Sequence, residues 1–295
     1  MSARTLLDSR KRPTAAQKRL RASTVMLVAS ALYVPTLGAQ TAPATVNYAA
    51  ADVIPAYDSF TVSSKAMGET RKVNVWVPRH YKQATGTRFP VVYMPDGGTD
   101  EDFPHVANTI DSLIALKLVR PVIAVGIPNT ERRRDMTGPT RMASDSAIAK
   151  RVGGSAAFRA FIRDELIPAV NTRYRTTGER TLLGESLAGL FVVETLLLEP
   201  TMFTHYVAFD PSLWWNKQAL TAVAPVHLKS FDVKPRSLYL ASSSEDIDDS
   251  RMEFVTMWRA NSPKPVQMIF VPRQDLQHAT IFRGEAAKAL ISALK

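Results

Sequence analysis

Apolar and polar positions fall into two regimes along this chain. Residues 58–65 and 71–77 alternate apolar with polar side chains, the period of two that predicts half-buried strands. Residues 66–69 (Ala-Met-Gly-Glu) between them predict a turn, so the two strands should pair antiparallel. From residue 90 onward the strands become short and continuously apolar: 90–94, 121–125, 181–183, 206–209, 237–241 and 266–270. Helical stretches are expected over 154–172, 187–198, 249–260 and 282–294. Fully apolar strands alternating with helices predict a parallel sheet covered on both faces. The expected class is therefore α/β, a mostly parallel, doubly wound sheet with an antiparallel strand pair at its N-terminal side. Residues 99–114 and 127–152 read as irregular and polar, and loops beyond the carboxyl ends of the strands are where such folds bind ligands.

The first 39 residues follow neither regime. Seven bases end at Arg21, an apolar stretch spans 25–37, and Gly38-Ala39 offers a small-residue cleavage point before Gln40, with Ala42-Pro43-Ala44 as a second. This is the pattern of an export signal, and the apolar run is shorter than the ~20 residues needed to span a bilayer. The expected organisation is a signal peptide over 1–39, a flexible Ala/Pro/Thr-rich lead-in over 40–57, and one domain over 58–295. A periplasmic or secreted location without stable membrane insertion follows. The formal net charge of +10 resides mostly in that leader. The remainder has 30 bases against 26 acids, which removes the argument for nucleic-acid binding. Cysteine is absent, excluding disulfides, thiolate nucleophiles and zinc–cysteine sites. No His/Asp/Glu cluster has metal-ligand spacing, and no cofactor motif is present.

The candidate chemistry centres on Gly184-Glu-Ser-Leu-Ala-Gly189, which follows a strand-like run and opens a helix-like one. In that context a G-x-S-x-G pattern is a nucleophile elbow that lifts the Ser186 hydroxyl above the sheet. A serine hydroxyl needs a base, and the base needs an orienting acid. His278, after the last strand and before the terminal helix, is the candidate base. His205 and His227 precede strands at the opposite edge, and His80 and His105 precede the serine. The acid is expected in the loop after strand 237–241, with Glu245 first and Asp246 and Asp248 as alternatives. Two oxyanion donors are expected: the amide of Leu187, and that of Gly98 in the Pro95-Asp-Gly-Gly-Thr99 loop.

With these pieces placed, the chain resembles the putative-esterase family of the α/β-hydrolase superfamily from about residue 58 to its end. The landmarks that carry it are Phe89-Pro-Val-Val-Tyr-Met-Pro-Asp-Gly97, Val125-Gly-Ile-Pro-Asn-Thr-Glu-Arg-Arg-Arg-Asp135, Phe161-Ile-Arg-Asp-Glu-Leu-Ile-Pro168, the run from Tyr174 to Ser186, and Phe209-Asp-Pro-Ser-Leu-Trp-Trp-Asn216. The resemblance is greatest to the siderophore-esterase-like branch. It implies an α/β-hydrolase fold, Ser186 and His278 as nucleophile and base, and Arg132, Trp214 and Trp215 at the border of the substrate site. It implies an exported serine carboxylic-ester hydrolase acting through an acyl-enzyme on a small-molecule or glycan ester: siderophore-type, feruloyl, acetyl or simple acyl. An acyltransferase of mycolyltransferase type and a non-catalytic binding protein on the same scaffold are the alternatives. Two residues depart from the family pattern. Glu185 stands before the serine where histidine or glutamine is usual, and Ala188 stands where glycine is usual. The triad acid varies in this branch, so Glu245 is the position the resemblance supports least.

Overall fold

The apolar runs become strands in a single eight-stranded sheet. The structure, a computed structural model, describes residues 52–229, 231, 234–261 and 265–295. The expected leader and residues 40–51 of the lead-in lie outside the described residues. The strands are β1 (Asp58–Ser64), β2 (Glu69–Trp76), β3 (Phe89–Pro95), β4 (Ile123–Ile127), β5 (Thr176–Glu185), β6 (His205–Phe209), β7 (Arg236–Ser243) and β8 (Val266–Arg273). Their order across the sheet is β1-β2-β4-β3-β5-β6-β7-β8. β1 and β2 pair antiparallel, β2 meets β4 antiparallel, and every later pair is parallel. The helices are α1 (Phe103–Ala115), α2 (Arg132–Met136), α3 (Ala143–Ser146), α4 (Ser155–Phe161), α5 (Ile167–Arg173), α6 (Leu187–Leu198), α7 (Trp215–Lys229), α8 (Ser250–Asn261) and α9 (His278–Leu294). A π-helical turn, Ile162–Leu166, joins α4 to α5.

Successive strand side chains point to opposite faces, and each face carries its own core. Val91 and Tyr93 of β3 join the cluster built with α4, α5, α6, α7 and α8. Val92 and Met94, one residue out of phase, join the cluster built with α1 and α9. α6 shows why the layers are stable. Its sequence is apolar on every side, so it is buried all round, and only Glu194 and Leu198 escape full burial.

Two expectations about elements need correction. Residues 103–115 form α1 rather than an irregular loop, because Phe103, Val106, Ala107, Ile110 and Leu113 share one buried face. Residues 215–229 form α7, a helix the sequence reading left out. Its apolar face is sparse, and Pro225 lies inside it.

The loop after β3 presses against β4. Gly97 N–H donates to the Ile127 carbonyl at 3.1 Å, and its carbonyl accepts from Asn74 Nδ2 at 2.9 Å. A Cβ on Gly97 would stand 2.1 Å from the Ile127 nitrogen. Gly97→Ala is therefore expected to destabilise the protein by about 1–3 kcal/mol or more, the cost of overpacking against backbone that cannot yield. A urea midpoint identical to wild type would refute this.

Candidate active site

β5 and β6 are parallel neighbours in which Glu185 lies opposite Phe209. The residues that follow, Ser186 and Asp210, therefore leave the same edge of the sheet side by side. Ser186 adopts φ 60° and ψ −117°, a conformation that costs a non-glycine residue ~1–3 kcal/mol and persists only when its surroundings impose it. Three backbone bonds impose it. Ser186 N–H donates to the Phe209 carbonyl at 2.9 Å, and its own carbonyl accepts from Leu190 at 2.9 Å and from Ser212 at 3.0 Å. A Cβ on Gly184 would come within 2.7 Å of Ala188 Cβ, so the methyl group at 188 uses the space that the glycine leaves open.

His278 is the first residue of α9, whose start is fixed by a reciprocal capping box between Gln277 and Thr280. Its Nε2 lies 3.2 Å from Ser186 Oγ, and its Nδ1 lies 3.0 Å from Asp210 Oδ2. The carboxylate against the imidazole is thus Asp210, at the end of β6, and not the expected Glu245. Glu245 instead accepts the backbone N–H of His278 at 3.2 Å, which makes it a partner of the helix terminus. Asp246 accepts the backbone N–H groups of Arg251 and Met252 at the start of α8. Asp248 lies in a 3₁₀ turn, and its backbone carbonyl accepts from Gln218. Neither reaches the imidazole. Asp210 is fully buried. Ser243 donates to it twice, from its amide at 2.6 Å and its hydroxyl at 2.5 Å, and Arg251 Nε lies 3.5 Å away.

Electrostatics follow from these contacts. Burial alone would raise the Asp210 carboxyl, but hydrogen bonds from His278 and Ser243, with Arg251 alongside, outweigh it and hold it below the usual carboxylate range. The hydrogen bond to Asp210 raises the His278 imidazole above its ordinary value against the opposing effect of burial, and the Glu185 carboxylate adds to the rise. Burial pushes Glu185 up to about 7, with the His278 charge opposing it. Burial, then the charge of Asp96, pushes Asp102 up to about 6.

The remaining expected site residues divide. Leu187 opens α6, where the first amides of a helix have no intrahelical acceptor. The Gly98 amide is already given to Glu101 Oε2 at 2.6 Å, so the expected second oxyanion donor is occupied. Arg132 borders the site, but its guanidinium is held by both oxygens of Asp96 at 2.7 and 2.9 Å. Trp215 is buried in the core, donates its indole N–H to the Gly138 carbonyl at 2.9 Å, and lines a separate pocket beside α6 rather than the cleft at Ser186. Trp214 packs against the same core and is likewise absent from the walls of the cleft at Ser186. That cleft, about 340 Å³, is lined by Asp102, Arg132, Glu185, Ser186, His278, Ala279, Phe282 and Arg283. Sequence reasoning missed Asp210, Asp102 and Arg283. Among the described residues, no group of three or more His, Asp or Glu could hold a metal ion.

An elbow after the fifth strand of a mostly parallel sheet, with an antiparallel pair at its N-terminal side, defines an α/β-hydrolase fold. Within that class the chain belongs to the family described as "Putative esterase", which matches residues 64–258. It is similar to ferri-bacillibactin esterase BesA of Bacillus subtilis (strain 168), with 28% identity over 56% of this chain and 61% of that protein. It is also similar to siderophore triacetylfusarinine C esterase of Aspergillus fumigatus, with 26% identity over 67% of this chain and 66% of that protein. The chain thus matches somewhat under two thirds of each relative's length. Among solved structures, an IroE-like serine hydrolase from Shewanella oneidensis superimposes with a TM-score of 0.72 at 25% identity, covering 80% of each chain. No helix among the described residues is long and apolar enough to cross a membrane.

Proposed function

We propose that the chain is an exported serine esterase acting on small-molecule esters of the siderophore type. The observation that carries this reading is the relay Ser186 Oγ–His278 Nε2 at 3.2 Å and His278 Nδ1–Asp210 Oδ2 at 3.0 Å, opening into a cleft. Ser186 attacks the ester carbonyl while His278 takes its proton. Asp210 fixes the imidazole tautomer and stabilises the imidazolium. The Leu187 N–H, at the positive end of α6, meets the oxygen that becomes negative. His278 then returns the proton to the departing alcohol, and water activated by the same imidazole releases the acid. Export rests on the leader over residues 1–39.

A fluorophosphonate probe tests this on the mature protein. The expected result is one adduct per chain, located on Ser186 by peptide mass spectrometry, with parallel loss of p-nitrophenyl butyrate hydrolysis. A folded protein that forms no adduct would leave a scaffold that binds esters without cleaving them.

A further inference from the structure

The charges around the nucleophile are unevenly paired. Both arginines of the cleft carry their own counter-ion: Arg132 is held by Asp96 at 2.7 Å, and Arg283 Nη2 lies 2.6 Å from Asp52. Arg283 also approaches His105 Nδ1 at 3.1 Å. The two carboxylates lining the cleft, Glu185 and Asp102, have no such partner at contact distance, although the charges of Arg283 and Arg132 act on Asp102 from further away. Among the described residues, neither forms an ion pair with an arginine or lysine. The cationic group within ion-pair distance of Glu185 is the imidazole of His278, whose Nε2 lies 3.8 Å from Glu185 Oε1, while the charge of Arg132 acts on it from further away. Glu185 is tethered by its place in the chain, immediately before the nucleophile, and its side chain is 20% exposed into the cleft. Arg132 Nη2 also touches the Glu185 backbone carbonyl at 3.4 Å, which steadies that residue from the opposite wall.

We propose that Glu185, with Asp102 beside it, sets the charge specificity of this cleft: it admits esters whose flanking group is a cation or a neutral hydrogen-bond donor and rejects those whose flanking group is anionic. This rests on the serine-esterase reading and narrows it. A carboxylate held next to the attacked carbonyl repels a neighbouring anion through a poorly screened space. At a separation near 5 Å that is worth at least about tenfold in rate even with substantial solvent screening. An amide N–H, a hydroxyl or an ammonium would instead supply the partner that the two carboxylates lack. Discrimination should also depend on pH. Burial pushes Glu185 up to about 7, so it repels an anion fully only above that pH and weakly below it. The other groups facing it are His278 of α9, Asp102 before α1, Asp96 after β3 and Arg132 of α2.

Three p-nitrophenyl esters of matched shape test the proposal: the 4-(trimethylammonio)butyrate, its neutral 5,5-dimethylhexanoate analogue, and the 4-sulfobutyrate. The readout is the ratio of kcat/KM for cation over anion, so that a change in overall rate cancels. At pH 8.5 the wild type is expected to favour the cation by at least about tenfold, with the ratio shrinking at pH 5.5. Glu185→Gln should reduce the ratio several-fold, and Glu185→Gln combined with Asp102→Asn should bring it close to one. A ratio unchanged in both variants, or a wild type that favours the sulfonate, would overturn the proposal while leaving the esterase reading intact. Failure to hydrolyse any of the three esters, with no phosphonate adduct on Ser186, would remove the esterase reading and this proposal with it.

Discussion

Replacing Asp210 with asparagine is expected to lower kcat on any ester substrate by about 10³–10⁴-fold with KM little changed. The amide keeps the shape of the carboxylate but cannot accept the proton on His278 Nδ1 at 3.0 Å while also meeting the Ser243 amide at 2.6 Å. The imidazole would turn its other tautomer toward the serine and present Ser186 with an N–H instead of a lone pair. The pH profile supplies a second readout. Asp210 raises the His278 imidazole, and only the neutral imidazole can act as base, so the wild-type rate climbs as pH rises through that raised value. Without the carboxylate, the acid limb should move to lower pH. Glu245→Gln is the contrasting variant: it exchanges the charged acceptor of the His278 backbone N–H for a neutral amide oxygen and should cost less than about tenfold, at most a cap-sized effect of ~1 kcal/mol. If Glu245→Gln instead matched the loss from Asp210→Asn, or the acid limb failed to move, the assignment of Asp210 would be wrong.

Why Asp210 escaped the sequence reading is instructive. The chain order serine, acid, histidine admits any carboxylate between Ser186 and His278, and the four that crowd the loop after β7 draw attention there. The signal that could have found it is local. Asp210 follows directly on the apolar run 206–209, and that strand follows β5, which leads into Ser186, in sequence. Pairing of β5 with β6 then puts residue 210 next to residue 186, with Glu185 opposite Phe209. That Ser186 and His278 meet was legible because each has a context that topology alone fixes: a turn between an apolar strand and an apolar helix, and the start of the last helix. Gly98 and Trp215 were not, because their occupancy is decided by contacts that sequence spacing does not carry, the Glu101 carboxylate and the Gly138 carbonyl. The same division holds for the fold. β3, β4, β6, β7 and β8 announce themselves as continuous apolar runs, whereas α1 hides its 3.6-residue repeat behind Pro104, His105, Asn108 and Asp111.

The largest stability effect is expected at Asp135, the last residue of the landmark that begins at Val125. Asp135 is fully buried between two guanidinium groups, with Arg71 Nη1 at 2.6 Å on one oxygen and Arg134 Nε at 2.6 Å on the other. Arg71 is itself only 1% exposed and lies over the rings of Phe158 and Phe161 at 5.2 and 5.7 Å. Glu69 completes the cluster and is held down at about 2, chiefly by its hydrogen bond from Arg134. Removing the central anion leaves Arg71 charged and desolvated with only the Glu69 carboxylate and the Pro128 carbonyl to meet it. Asp135→Ala should therefore cost about 3–5 kcal/mol in a urea or thermal unfolding experiment, the penalty for breaking a buried pair from one side. Replacing both partners, as Arg71→Met with Asp135→Leu, should recover part of that loss, since a buried pair exchanged for apolar groups is often close to neutral. A double variant as unstable as Asp135→Ala would mean that geometry, and not an orphaned charge, sets the cost. The effect reaches the site as well. α2 carries Arg132 against Asp96, so loosening the Asp135 anchor should weaken substrate binding at temperatures where the domain is still folded, seen as a rise in KM ahead of any fall in kcat.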